Sequence, residues 1–372
     1  MNKMQCLFCL WLILSVLFGG CNQQDKPFLK ENTQIEDNSL VLNSEYVGHI
    51  RSLLSVADKL SVVHLKVNGV VGSDDIRYIA DQMLCLEILD LSGVEIYDGA
   101  IPERFFCKGD LTYGNVTLRE IYLPSCSVRK NAFSGCVNLR KIIANSSSIS
   151  AEAFSNISNL EYVEIGYGVD GCFQNSTINK AKLKPQFGTT TFHPFEKKGT
   201  GTVTGKIDSL IVTSSVCSYD ASLYVDISMG YSGSCGYLSF EDFPDKEIRA
   251  LTLSGRFGEV ILPSGLNEVR DPNGYEFAYG LISFKRIVIK SNCKMRDLSS
   301  LIISSFPNEV YWYPNELPSN VKQNMSSEKK WYVRKSLINQ FQNIWTETDG
   351  HHGPTFLSLE DSEYYKSHPE YR

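Results

Sequence analysis

Six histidines, His49, His64, His193, His351, His352 and His368, are the side chains that could move a proton or hold a metal near neutral pH. His351 and His352 stand together in Asp349-Gly350-His351-His352, a spacing at which one ion could reach two imidazoles, but the run sits in a polar stretch near the C-terminus and reads as solvated tail. His64 falls at an outward position of a predicted strand. Hydrolytic acid–base work needs two carboxylates converging on one cleft. Asp74-Asp75 reads instead as the first turn of a helix and Glu360-Asp361 as exposed tail, which leaves Asp208, Asp220, Glu241 and Asp242, in an irregular stretch over 185–250, as the carboxylates a hydrolase could use. The chain has no glycine-rich phosphate loop after a strand, no HExxH, no GxSxG and no EF-hand loop. Neither a metal nor a cofactor is expected, and the chain reads as a protein that is not an enzyme.

Cysteine chemistry is equally sparse. Beyond Cys6, Cys9 and Cys21, the cysteines Cys85, Cys107, Cys126, Cys136, Cys172, Cys217, Cys235 and Cys293 form no CxxC pair, so a zinc site is not expected. Their disulfide pairing is open. Cys136 and Cys172 occupy small inward positions of the pattern described below and read as reduced core residues.

Recognition chemistry has better material. Tyr122, Tyr162 and Tyr311 fall at outward positions of predicted strands, and Lys141, Glu164 and Arg286 at comparable ones; others are Lys66, Asp90, Glu120, Ile143 and Val288. A strand-borne tyrosine can anchor a protein partner or stack on a sugar, although tyrosine also favours exposed strand positions for its own sake.

These side chains depend on a repeat. Ala132-Phe133 recurs as Ala153-Phe154, Leu139 as Leu160 and Ile142 as Val163, each 21 residues on. Leu118 and Ile121 stand one step earlier; Cys172-Phe173, Ile178, Ala181 and Leu183 one step later. In the pattern LxxIxL the first, fourth and sixth positions point inward on a short strand, and Ala-Phe lies on the opposite side where the chain returns. A unit of about 20 residues cannot bury its own apolar side, so successive units must stack into ladders of like residues. Leu118, Leu139 and Leu160 form one expected ladder and Phe133, Phe154 and Phe173 another.

Similar strands are predicted at 60–69, 84–93, 207–214, 248–255, 284–291 and 308–314, with a helix over 72–83 whose N-cap is Ser73. An N-terminal helical cap is expected near 46–59 and a C-terminal cap ending near 345, so the repeat domain spans 46–345, as one array or as blocks 46–184 and 207–345. Residues 185–206 and 214–246, rich in Gly, Ser and Thr, read as insertions or a break, and 346–372 as a polar tail.

At the N-terminus, Lys3 and the apolar run Cys6–Phe18 make a signal peptide over 1–20, too short to span a bilayer. Gly19-Gly20-Cys21 resembles a bacterial lipobox, which implies lipid attachment at Cys21 followed by a flexible tether over 21–45. Net charge is −6, without a basic footprint for nucleic acid.

The phrase AFSGCVNLRKI, followed after 21 residues by AFSNISNLEYV, resembles the BspA-like (Treponema pallidum-type) leucine-rich repeats. Cys136 stands on that family's cysteine, Ile157 replaces it one unit later, and Leu123-Pro124 keeps the strand-ending proline; the clear match covers about 116–184. The resemblance implies a right-handed α/β leucine-rich-repeat solenoid and an adhesin-like lipoprotein on an outer membrane, binding host or bacterial surface proteins through a concave strand face. Capture of glycans is the second expectation and the hydrolase at 185–250 the third.

Overall fold

The computed structural model describes residues 38–107, 115–144, 148–166, 169–184, 189–195, 204–213, 223–230, 232–240, 248–266, 269–270, 282–293, 307–318, 329–346 and 354–372. Cys21, the signal segment and the Asp349–His352 run lie outside them.

The chain is a parallel β-solenoid with few helices. One long sheet takes a strand from every coil: Ser39–Ser44, His64–Val71, Ile88–Ile96, Glu120–Tyr122, Lys141–Ala144, Leu160–Ile165, Thr177–Leu183, Thr204–Val212, Ser232–Phe240, the second half of Ile248–Leu262, Ile282–Ile289, Glu309–Trp312, Lys330–Val333 and Thr355–Ser358. All neighbours pair in parallel, which the coil geometry makes possible because each return segment supplies the crossover that parallel strands need. A second parallel sheet forms on the return side. Its strands are Ala100–Ile101, Ser127–Val128, Ser148–Ile149, Val169–Asp170, Thr189–His193, Leu223–Ser228, the first half of Ile248–Leu262, and Val269–Arg270.

The inward positions stack in register. Leu40, Leu65, Leu89, Ile121, Ile142, Val163, Ala181, Leu210, Leu238, Val260, Ile287, Val310 and Trp331 form one column, all buried, and Phe356 continues it. Leu118, Leu139 and Leu160 lie fully buried beside it. A single hydrophobic core runs from Leu40 to Phe341, so the stretches 46–184 and 207–345 share one interior.

On the return side the rings of Phe133 and Phe154 stack at 5.0 Å and 5°, and those of Phe154 and Phe173 at 5.5 Å and 17°. Phe106, 5.4 Å from Phe133, extends the ladder by a coil that the sequence pattern did not reveal. Each ring is fixed by its own amide: the N–H groups of Phe106, Phe133, Phe154 and Phe173 donate to the carbonyls of Ala132, Ala153, Cys172 and Pro194, each at 2.8 Å. The bend that presents them is left-handed. Arg104, Asn131, Glu152 and Gly171, two residues before each phenylalanine, all have φ between 53° and 64°. Asn favours that region and Gly enters it without steric cost, whereas Arg104 and Glu152 hold it against their own preference.

The Gly/Ser/Thr-rich stretches do not interrupt the array. Residues 204–212 and 232–240 are strands of the long sheet, and Gly205 and Gly233 are paired neighbours. A Cβ on Gly233 would lie 2.1 Å from the Met229 carbonyl oxygen and 2.7 Å from the Phe195 ring, so glycine there reflects close packing of coils.

The ends also differ from expectation. Residues 39–44, within the expected tether, are the first strand, and the helices Ile50–Leu53 and Val56–Ser61 follow it. The helix Ser73–Gln82 has Gly72, not Ser73, as its N-cap. Asp75 is buried because its carboxylate closes two turns, accepting from Gly72 N at 3.0 Å and Gly48 N at 2.7 Å. After the helix Ile338–Thr346 the sheet gains one more strand, Thr355–Ser358, so the array does not end near 345. Residues 363–371, within the expected polar tail, form a helix over Glu363–Ser367 and a 3-10 turn over Pro369–Tyr371.

Candidate functional site on the outward face of the long sheet

Parallel register turns outward residues from neighbouring strands into columns whose successive members stand about 4.8 Å apart. Glu120, Lys141 and Tyr162 are successive members of one column. Tyr122, Ile143 and Glu164 belong to the next. The structure therefore brings Tyr122, Lys141, Tyr162 and Glu164 into one patch.

Every polar group of that patch is held. The Tyr122 hydroxyl donates to Glu120 Oε2 at 2.7 Å and accepts from Lys141 Nζ at 2.7 Å. Lys141 Nζ is also 3.4 Å from Glu120 and 4.9 Å from the Tyr122 ring centre. One strand on, Tyr162 donates to Glu164 Oε2 at 2.6 Å, and Lys184 bonds the other oxygen of Glu164. Partial burial raises the Tyr122 phenol above its ordinary range, and the bond to Tyr122, aided by Glu120, raises Lys141. Both groups thus keep their charge states throughout the neutral range. Fixed rings flanked by carboxylates and ammonium groups suit recognition, because little side-chain freedom is left to lose on binding.

Arg286 and Tyr311 stand elsewhere on the same face, beyond the strands Thr177–Leu183, Thr204–Val212 and Ser232–Phe240. Arg286 donates to Glu259 at 2.8 Å through Nη1, and to Glu309 through Nε at 3.0 Å and Nη2 at 2.8 Å. Burial opposes its charge, but those bonds to Glu309 and Glu259 outweigh it and raise the guanidinium above its usual range. Tyr311, expected to be exposed, is only 4% so. Its ring stacks on Tyr332 at 4.4 Å and 7°, and Tyr364 from the C-terminal helix covers it at 4.4 Å. Tyr364 completes the charge pattern by donating to Glu259 Oε1 at 2.7 Å. Ile261, Val288, Tyr313, Leu359 and Tyr371 join Tyr311 in a second hydrophobic cluster, separate from the main core.

Other candidates lie apart. Asp208 is paired with Lys206 at 2.6 Å, and Asp220, Glu241 and Asp242 fall outside the described residues. His193 Nε2 lies 2.9 Å from Asp226 on the second sheet, a pairing across 33 residues for which no local motif exists. His64 is half-buried at the outward position expected of it. Cys136 and Cys235 are buried thiols pushed up to about 12 by desolvation, which makes them poor nucleophiles. Among the described residues no three His, Cys, Asp or Glu side chains are placed to hold a metal, and no helix is long and apolar enough to cross a membrane. Comparison with protein-family models and with curated proteins returns no match for this chain.

Proposed function

We propose that this chain is a non-catalytic surface-binding protein, a leucine-rich-repeat solenoid of the BspA-like kind, exported and lipid-anchored at Cys21 to an outer membrane. It captures protein partners in an adhesin-like manner through the outward face of its long sheet. The observation that carries this reading is the patch of Tyr122 and Tyr162. Two partly exposed phenols, each bonded to a carboxylate two residues away, stand on the two coils that flank the coil of Lys141. Aromatic groups fixed in this way are the usual anchors of an interface.

Glycan capture is the second reading, favoured by the same rings: a sugar can stack on a tyrosine and donate hydroxyls to Glu120 or Glu164. The deciding experiment presents the purified protein to immobilised matrix proteins and to a glycan array, beside the double variant Tyr122→Ala/Tyr162→Ala. Binding to a matrix protein that falls at least about tenfold in the variant, roughly 1.4 kcal/mol, supports the first reading. Glycan signal alone supports the second. Binding that the double variant leaves unchanged refutes this face as the site.

A further inference from the structure

We infer that the cleft around Arg286 is a recognition site for a tyrosine-bearing peptide segment, and that Ser362–Arg372 of the same chain occupies it as a displaceable internal ligand. The cleft is a second surface, independent of the Tyr122 patch.

Three observations converge on it. First, the cleft is built like an interface centre. Arg286 is clamped between Glu259 and Glu309 with its guanidinium 5.3 Å from the Tyr311 ring centre and 4.7 Å from that of Tyr364. Two carboxylates share one guanidinium, which leaves Glu259 Oε1 to accept from the incoming phenol. Aromatic rings packed on a partly buried arginine are the composition of binding hot spots.

Second, the segment docks mainly by side chains. Tyr364, His368 and Tyr371 form a stack, at 4.1 Å and 17° and then 5.3 Å and 9°. Tyr365 lies 5.6 Å from Tyr313 and its hydroxyl accepts from Arg334 Nη1 at 3.2 Å. The segment adds no strand to the sheet; its backbone reaches the coils where Ser291 N donates to the Tyr371 carbonyl at 3.3 Å. The helix it contains has only five residues and no buried member, too short to be stable unless docked.

Third, the fit is incomplete. Among the described residues the fully buried Tyr313 hydroxyl has no hydrogen-bond partner, a cost of about 1–3 kcal/mol that a better occupant could remove.

The test keeps the full chain. Tyr364→Ala/Tyr371→Ala loosens the internal ligand, and a fluorescent synthetic peptide with the sequence of residues 362–372 is titrated onto wild type and variant. The peptide is expected to bind the variant at least about tenfold more tightly than wild type, and to lose that gain when Glu259→Gln is added. Equal affinity for wild type and double variant overturns the inference. Should the variant not fold, hydrogen exchange on wild type decides. Amides of Tyr365, Lys366 and Tyr371 exchanging at least about tenfold faster than those of Lys330–Val333 support a cover that opens alone; exchange in step with that strand overturns it.

Discussion

Replacing Phe154 by alanine tests the stacking directly. The ring is fully buried between Phe133 and Phe173, with centres 5.0 Å and 5.5 Å away. A buried phenylalanine removes about 200 Å² of apolar surface from water, worth about 5 kcal/mol at roughly 25 cal/mol per Å². Alanine keeps about 1 kcal/mol of that, leaving a loss of about 4 kcal/mol, within the range of about 3–5 kcal/mol known for such truncations. Collapse cannot recover much, because the flanking rings are tethered by their own amides to Ala153 and Pro194. The assay is native-state hydrogen exchange. The amides of Phe133, Phe154 and Asn156 should lose about 3–5 kcal/mol of protection, while those of Val310 and Trp312 change by less than about 1 kcal/mol, because coils couple chiefly to neighbours. Tyr97→Ala, at a side chain 75% exposed, is the control and should cost under about 0.5 kcal/mol. A Phe154→Ala cost below about 1 kcal/mol would refute the close ring contact on which the solenoid reading rests.

Two further outcomes follow from described features. Glu152 holds φ at 61°, its carboxylate pairs with the exposed Lys130 at 3.6 Å, and its backbone bonds to Gly171 and Ser155 survive any side-chain change, so Glu152→Gly should be neutral or stabilising by up to about 1 kcal/mol and Glu152→Val clearly destabilising, read as opposite shifts of the urea midpoint. Burial, reinforced by Glu259, raises the Tyr364 phenol above the value of about 10 that it has when undocked. Groups raised in the docked state bind protons more tightly there, so the docked C-terminal segment is fully favoured below about pH 10 and loses stability as pH rises beyond it. Exchange protection at Tyr365 should therefore fade in alkali before that at Phe154; the reverse order would contradict the assignment.

Where spacing is even, the sequence is a good guide. The 21-residue step of Leu118, Leu139 and Leu160 and of Phe133 and Phe154 is visible because those coils have short, similar returns. Phe106 does not show the pattern because it stands 27 residues before Phe133 instead of 21, and it follows Phe105 where the next two coils have Ala132 and Ala153. From Ala181 to Leu210 to Leu238 the register continues at steps of 29 and 28 residues, since the second sheet there lengthens to Thr189–His193 and Leu223–Ser228. Glycines demanded by coil contact at 205 and 233 resemble, in composition alone, the glycines of a loop. Tyr122, Lys141, Tyr162 and Glu164 were readable as neighbours from strand periodicity. The cover over Arg286 and Tyr311 was not, because Tyr364 meets Glu259 across 105 residues and its partners are scattered among Glu, Lys and Ser.

The column of inward residues keeps its register while the chain between successive members ranges from 18 residues, Val163 to Ala181, to 32, Leu89 to Ile121. Extra length at a corner is therefore nearly invisible to the interior. Each winding needs only to hand the next a matching edge, and new segments can be spliced at the bends, or whole windings gained and lost, while the remainder of the molecule keeps its packing.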